Sequence, residues 1–272
     1  MLPRPGEQGC GMNRWSSLDM VPTPVRRFIN SSFDLGIRVA NAVIRQLHPP
    51  VLQASDPDIV AIRAKAAIGT DISSHLEPMF FEALRQSPRV IVELGVRGGE
   101  STWVLESVAR RCGAVLIGVD VDDCSTVCQS ENWYFVQEDD VAFGQRFATW
   151  CREHGVADKI DVLFIDTSHL YSHTVAEIEA WFPHLSEAAV VMFHDTNIKR
   201  LYRRRDWTLG RAWDNRRGVI RALEEILHEQ LDERHRFERE VGRWHVTHDP
   251  ICNGFTVLKR KVRPETGMPR NS

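Results

Sequence analysis

Residues 162–196 read VLFIDTSHLYSHTVAEIEAWFPHLSEAAVVMFHDT, a strand, a loop, a helix and a second strand, with each strand running straight into polar residues. The first strand, Val162 to Ile165, ends at Asp166, with His169 three positions on. The second, Ala188 to Phe193, ends at His194 and Asp195. In a parallel sheet the carboxyl ends of neighbouring strands lie side by side, and ligands bind in the crevice outside them. Asp166, His169, His194 and Asp195 are therefore expected to converge. Two carboxylates and two imidazoles at one sheet edge suit a metal site, a general base, or both. A strand-end aspartate also serves often as a simple helix N-cap.

The alternation extends on both sides of this stretch. Arg89 to Glu93, Ala114 to Asp120, Asn132 to Gln137 and residues 160–165 read as strands, separated by helices at Glu100 to Arg111 and Val141 to His154. Strands alternating with helices predict a doubly wound parallel sheet covered on both faces. After a helix from Gly218 to Leu231, the runs Arg236 to Val246 and Gly254 to Lys261 read as two further strands joined around Asp249-Pro250 and Asn253-Gly254, which makes the sheet mixed.

Ahead of the sheet, Pro24 to Leu47 is amphipathic at helical spacing and stops at Pro49-Pro50. It reads as a lid, an oligomer contact, a weak amphipathic surface helix, or a helix packed on the main domain. Further helices are expected from Asp56 to Ala67 and, capped by Ser73 or Ser74, up to about Arg85. The division is a disordered stretch at 1–20, a helical extension or lid at 21–87, the main α/β domain at 88–263 and a disordered tail at 264–272.

Composition removes several classes. Across 272 residues the formal net charge is −3, which provides no electrostatic footprint for nucleic acid. No apolar run approaches the ~18 residues of a membrane span, and the first residues lack the apolar core of a secretory signal. The six cysteines show no zinc spacing and read as reduced thiols of a cytoplasmic protein.

The second informative stretch is VIVELGVRGGEST, residues 90–102. A strand ends in Glu93 and a turn with Gly95, Gly98 and Gly99, and then a helix starts. The G-x-G-x-x-G spacing of a dinucleotide turn is absent. An acid in this place disfavours phosphate and suits a cationic or hydroxyl-bearing ligand. The next strand ends at Asp120, where a carboxylate can accept from ribose hydroxyls. The third ends at Gln137-Glu138-Asp139-Asp140.

With ELGVRGG, FIDTSH and FHDT in place, residues 69–260 resemble class I S-adenosylmethionine-dependent methyltransferases, in the bacterial branch near macrolide-sugar and rhamnosyl O-methyltransferases and cephalosporin-hydroxylase-like proteins. The resemblance implies a seven-stranded mixed sheet of order 3-2-1-4-5-7-6. It places S-adenosylmethionine over Glu93, Gly95, Gly99 and Ser101, with ribose on Asp120 and adenine near Glu138 and Asp139. It makes Asp166 a metal-binding aspartate and His169 the catalytic base. It puts the remaining metal ligands at His194 and Asp195, where the family carries two acids. His194 in place of an acid favours Mn, Fe or Zn over Mg, although Mg and Mn are the metals the family implies. The family's Gly-Gly before the fifth strand is Ala188-Ala189 here. The implied reaction is methylation of a sugar hydroxyl on a glycoside or nucleotide-sugar, and the N-terminal helices leave room for a homo-oligomer.

The basic segment 198–219, with Tyr202, Trp207 and Trp213, reads as a solvated loop or as a lid whose arginines hold a phosphate and whose tryptophans stack on a sugar. Two other classes remain open: a nicotinamide-dependent dehydrogenase, which lacks its glycine spacing, and a scaffold that binds the cofactor without catalysis.

Overall fold

The computed structural model describes residues 23–261, with side chains from Asn30 onward. The stretch 1–20 and the tail 264–272 lie outside them. Helices α1 (Thr23–Leu47), α2 (Pro57–Ala66) and α3 (Leu76–Leu84) precede the sheet. Strand β1 (Val90–Leu94), helix α4 (Glu100–Cys112), β2 (Val115–Asp120), β3 (Trp133–Gln137), α5 (Asp140–His154), β4 (Ile160–Ile165), α6 (Tyr171–Trp181) and β5 (Leu185–His194) follow in the expected alternation. Then come β6 (Leu201–Arg203), β7 (Leu209–Arg211), α7 (Gly218–Leu227), β8 (Phe237–Val241), β9 (Trp244–Asp249) and β10 (Phe255–Arg260).

The main sheet has eight strands in the order β3-β2-β1-β4-β5-β10-β9-β8, not seven. β10 runs antiparallel to β5, and β9 and β8 fold back in turn. The run expected as one strand from Arg236 to Val246 is two. Gly242, at φ +54°, makes a two-residue turn with Arg243 and pairs Val241 with Trp244. β10 and β9 thus take the last two places of the expected order, and β8 is added outside them.

The twofold period of the strands divides the core. Val90, Val92 and Leu94 of β1, with Val191 and Phe193 of β5, face a cluster holding Phe143, Phe147, Ile178 and Trp181 of α5 and α6. Ile91, Val190 and Met192 point the other way, onto Ile62, Met79, Phe80 and Val104 of α2, α3 and α4. Continuous burial on both faces explains why these strands read as unbroken apolar runs. Each such side chain contributes about 1.5–3 kcal/mol by leaving water.

Ala188-Ala189 lies inside β5, not in a turn before it, beside a register shift opposite Ile160 and Val162. The basic segment carries the hairpin β6–β7, held inward by its arginines. Arg204 is buried and donates to the carbonyls of Thr70 and Leu209 and to the Tyr202 hydroxyl. Arg205 pairs with Asp249, Arg211 with Asp34, and Arg217 with Glu224 and Glu233. No described helix is long and apolar enough to cross a membrane.

Candidate active site

β1 delivers the chain into the glycine turn at the carboxyl edge of the sheet. Gly95 has φ +88° and Gly99 φ +73°, both in the left-handed region. A β-carbon on Gly95 would stand 2.2 Å from the backbone oxygen of Asp166, so this turn packs directly on the tip of β4. Asp120, at the tip of β2, clamps the turn. Its Oδ2 accepts from the backbone N–H of Val96 (2.8 Å) and Arg97 (2.9 Å), and its Oδ1 from Asp122 (3.0 Å). A cavity of about 290 Å³ lies over the turn, bordered by Asp71, Arg97, Gly99, Ser101 and Asp166.

Glu93 lies wholly beneath the turn. Thr102 Oγ1 donates to its Oε2 at 2.6 Å, while Oε1 is buried with no partner. Burial pushes its carboxyl from the usual 4.5 up to about 8, against the opposing hydroxyls of Ser101 and Thr102. At the third strand tip, Asp139 caps α5 through the Ala142 N–H (2.9 Å), and Glu138 pairs with Arg146. Both acids have structural partners already in place, and the Glu138 N–H donates to the Asp120 carbonyl at 3.0 Å.

The raised carboxyl has a measurable consequence. Between 4.5 and about 8 the folded state keeps a proton on Glu93 that the unfolded chain has released. Stability is therefore expected to fall as pH rises through that window. Glu93→Gln should flatten the dependence of Tm on pH over the same range in thermal melts. An unchanged slope would show that Glu93 is already ionised.

The tips of β4 and β5 meet as the strand pattern requires. His169 Nε2 lies 2.9 Å from Asp195 Oδ2 and 3.9 Å from Asp166 Oδ1. The partner that orients the imidazole is thus Asp195, across the sheet edge, rather than Asp166 on its own loop. His169 has φ +57° and Asp195 φ +56°. Non-glycine residues held there cost about 1–3 kcal/mol each, a strain typical of functional sites. Gly218 makes room for it, since a β-carbon there would stand 2.2 Å from the His169 carbonyl oxygen. Asn215 Nδ2 donates to the Asp195 carbonyl at 3.2 Å, and Thr167 Oγ1 donates to the buried Glu177 at 2.5 Å. Gly218, Asn215 and Glu177 carry no sequence signal that links them to the site.

His194 lies beneath the acids. Its Nδ1 is 3.2 Å from Asp166 Oδ1 and 3.3 Å from Asp195 Oδ1, and its Nε2 is buried without a partner. Burial opposes its charge, but Asp195 and Asp166 together push it up to about 10. Burial likewise opposes charge on His169, and Asp195 raises that ring above its ordinary value. Asp195 is held below the usual carboxylate range by His194 and His169 despite its burial. His75, just before α3, was not singled out by its sequence context. Its ring meets that of His194 edge-on at 5.5 Å between centroids.

At this edge Asp166, His169 and Asp195 could converge on one ion, since their ligand atoms all lie within 4.8 Å of one another; among the described residues Asp140, His173 and Glu177 form a second such group. His194, expected as a ligand, touches both acids from outside that group. Asp195 Oδ1 is buried and makes no hydrogen bond, with only the His194 ring 3.3 Å away to balance it, so a cation there would complete its surroundings. Two carboxylates and an imidazole fit Mn, Fe or Zn better than Mg.

Residues 92–196 match the sequence family described as a methyltransferase domain. The uncharacterized protein y4gI of Sinorhizobium fredii is 29% identical over 133 residues, 41% of this chain, and the match spans only 14% of that relative's length. The methyltransferase PaMTH1 of Podospora anserina, solved with SAH, aligns at TM-score 0.50 and 12% identity over 84% of this chain and 96% of its own. Cofactor-bound Rv0187 from MTB aligns at TM-score 0.50 and 14% identity over 76% and 90%. The MycE methyltransferase of the mycinamycin pathway, solved with Mg and SAH, aligns at TM-score 0.49 and 18% identity over 79% of this chain and 58% of MycE.

Proposed function

We propose that this chain, which carries a class I methyltransferase domain in a Rossmann-like fold, is an S-adenosylmethionine-dependent O-methyltransferase acting on a small molecule, with a sugar hydroxyl as acceptor. The observation that carries the reading is the His169–Asp195 pair, set at the strand tips beside the Gly95–Gly99 turn. In this reading residues 21–87 extend a methyltransferase domain at 88–263, and the protein works in the cytoplasm. That location accords with the free thiols of Cys112, Cys124, Cys128, Cys151 and Cys252.

S-adenosylmethionine supplies, when bound, an electrophilic methyl group on a sulfonium that needs no activation as a leaving group. Glu93, Gly95, Gly99 and Ser101 would border its methionine end, and Asp120, Glu138 and Asp139 its nucleoside end. Asp120 retains one acceptor position on Oδ1 beyond its three backbone bonds.

His169 performs the proton chemistry. Asp195 fixes Nε2–H, leaving Nδ1 to take the proton of the attacking hydroxyl as the new C–O bond forms. Trp213, half exposed, stands 6.2 Å from the His169 ring and offers a face for a sugar beside the base. Lys199 and Arg200 border a neighbouring cavity of about 270 Å³ with Asn197 and Asp214, suited to an anionic group of a nucleotide-sugar. A divalent metal held by Asp166 and Asp195, with His194 beside them, would lower the acidity barrier of the hydroxyl. One observation favours a metal-independent reading: His194 Nδ1 stands 3.2 and 3.3 Å from Asp166 and Asp195, where an imidazolium would balance the two acids.

The test is titration calorimetry with S-adenosylmethionine and with NAD, followed by mass spectrometry for a gain of roughly 14 Da, one CH₂ unit, on candidate glycosides. Binding of the first cofactor alone and transfer to a glycoside are expected. Transfer that stops after chelation and returns with Mn²⁺ supports the metal at Asp166 and Asp195; full turnover after chelation leaves His194 as the balancing charge. Affinity for NAD in place of S-adenosylmethionine would overturn the assignment.

A further inference from the structure

Helix α1 turns one side to the hairpin β6–β7, and among the described residues nothing covers the other. Asn41 exchanges two hydrogen bonds with the Leu209 backbone, at 2.7 and 2.8 Å, and Ile37 and Ile44 are half-buried on that side. On the opposite side every fourth residue is apolar and exposed: Leu35 (62%), Val39 (58%), Val43 (50%) and Leu47 (70%). That spacing keeps the four in one stripe along the helix. The apolar surface continues past Pro49-Pro50 through Val51 and Leu52. A contiguous exposed apolar patch of this kind marks an interaction surface.

Charge selects the occupant. Helix α1 carries Arg26, Arg27, Arg38 and Arg45 against a single acid, Asp34, a formal +3. Asp34 is itself engaged by Arg211 at 2.7 Å. A second copy laid along the same stripe would set +3 against +3. An anionic phospholipid surface answers both the stripe and the surplus: the apolar side chains enter the headgroup boundary while arginines keep their guanidinium groups among the phosphates. Strong segregation of apolar from polar residues, without the apolar length to span, is the signature of a helix that lies on a bilayer.

We propose that α1 docks the protein on an anionic phospholipid surface through the stripe Leu35, Val39, Val43 and Leu47. The proposal does not depend on the methyl-transfer reading. Its test is flotation of the full chain with phosphatidylcholine vesicles and with phosphatidylcholine vesicles containing phosphatidylglycerol. The chain is expected to float with the anionic vesicles only, and less so as salt rises. Val39→Glu combined with Val43→Glu should lower the bound fraction roughly tenfold or more. Arg38→Glu, which leaves the stripe intact, should lower it through charge alone. All three positions are exposed, so an unchanged thermal melt checks that the fold is intact. No flotation, equal flotation on neutral vesicles, or a wild-type dimer that Val39→Glu with Val43→Glu dissociates would each overturn the proposal; the last would mean that a second copy covers the stripe.

Discussion

Replacing His169 with alanine is expected to lower kcat by about 10²–10⁴-fold, the contribution of a positioned general base, while affinity for S-adenosylmethionine stays at the wild-type level. On the proposed reading the base can be removed without touching the cofactor because the two would rest on different strand tips. His169 and Asp195 close over β4 and β5, whereas the glycine turn follows β1 and is clamped from β2 by Asp120. The pH profile should change in a set direction. Asp195 raises the His169 ring above 6.5, so the base is lost to protonation as pH falls through a value above 6.5, and wild-type kcat should decline on that acid side. The His169→Ala profile should lack this limb. Steady-state kinetics across pH, alongside calorimetric titration of the cofactor, provide both readouts. Wild-type kcat in the variant, or a collapse of cofactor affinity, would assign His169 a structural role and make His194 the leading candidate for the base.

The strand tips were legible because a parallel sheet buries both faces of its strands. Runs such as VLFI and VVMF are uniformly apolar, so the first polar residue after each marks the sheet edge. Asp166, His194 and Asp120 are the first polar residues after such runs, and His169 and Asp195 follow within three positions. What such a pattern does not carry is the direction in which a side chain turns. The bond from His169 to Asp195 depends on left-handed backbone at both residues and on the space left by Gly218, 49 positions further along the chain from His169. The side chain of Asp120 turns back onto the Val96 and Arg97 amides, a choice set by the turn's own unpaired N–H groups. The extra strand was hidden by the continuity of FEREVGRWHV, in which Gly242 was the one sign of a hairpin. The β6–β7 hairpin has no sequence signature because its strands are three residues long. They are held by the buried Arg204 and by Asn41 of α1 rather than by an apolar alternation. Arginines that resembled a phosphate-binding lid are largely engaged with the protein's own carbonyls and acids.

Gly95→Ala is expected to be strongly disruptive. Two effects act together. At φ +88° an L-residue loses about 1–2 kcal/mol against glycine. The new β-carbon would also stand 2.2 Å from the Asp166 backbone oxygen, a separation no side-chain rotation can relieve because the obstacle is backbone. Either the glycine turn lifts or the tip of β4 retreats, and the turn is tied down at both ends. Gly95 N–H donates to Val119 and Asp166 N–H to Leu94, each at 2.9 Å. A combined loss of about 3 kcal/mol or more follows, equivalent to a fall in Tm on the order of 10 °C for a domain of this size. The same shift separates Asp166 from the turn, so cofactor affinity and any metal affinity should fall together, by at least about tenfold each. Gly98→Ala is the control: that position lacks a positive φ, and a β-carbon there meets nothing within 4 Å, so Tm should hold. Differential scanning calorimetry of the two variants, with cofactor titration of Gly95→Ala, decides the matter. If Gly95→Ala melts and binds like the wild type, the glycine turn does not pack on the β4 tip, and the join between the cofactor half and the catalytic half of the site must lie elsewhere.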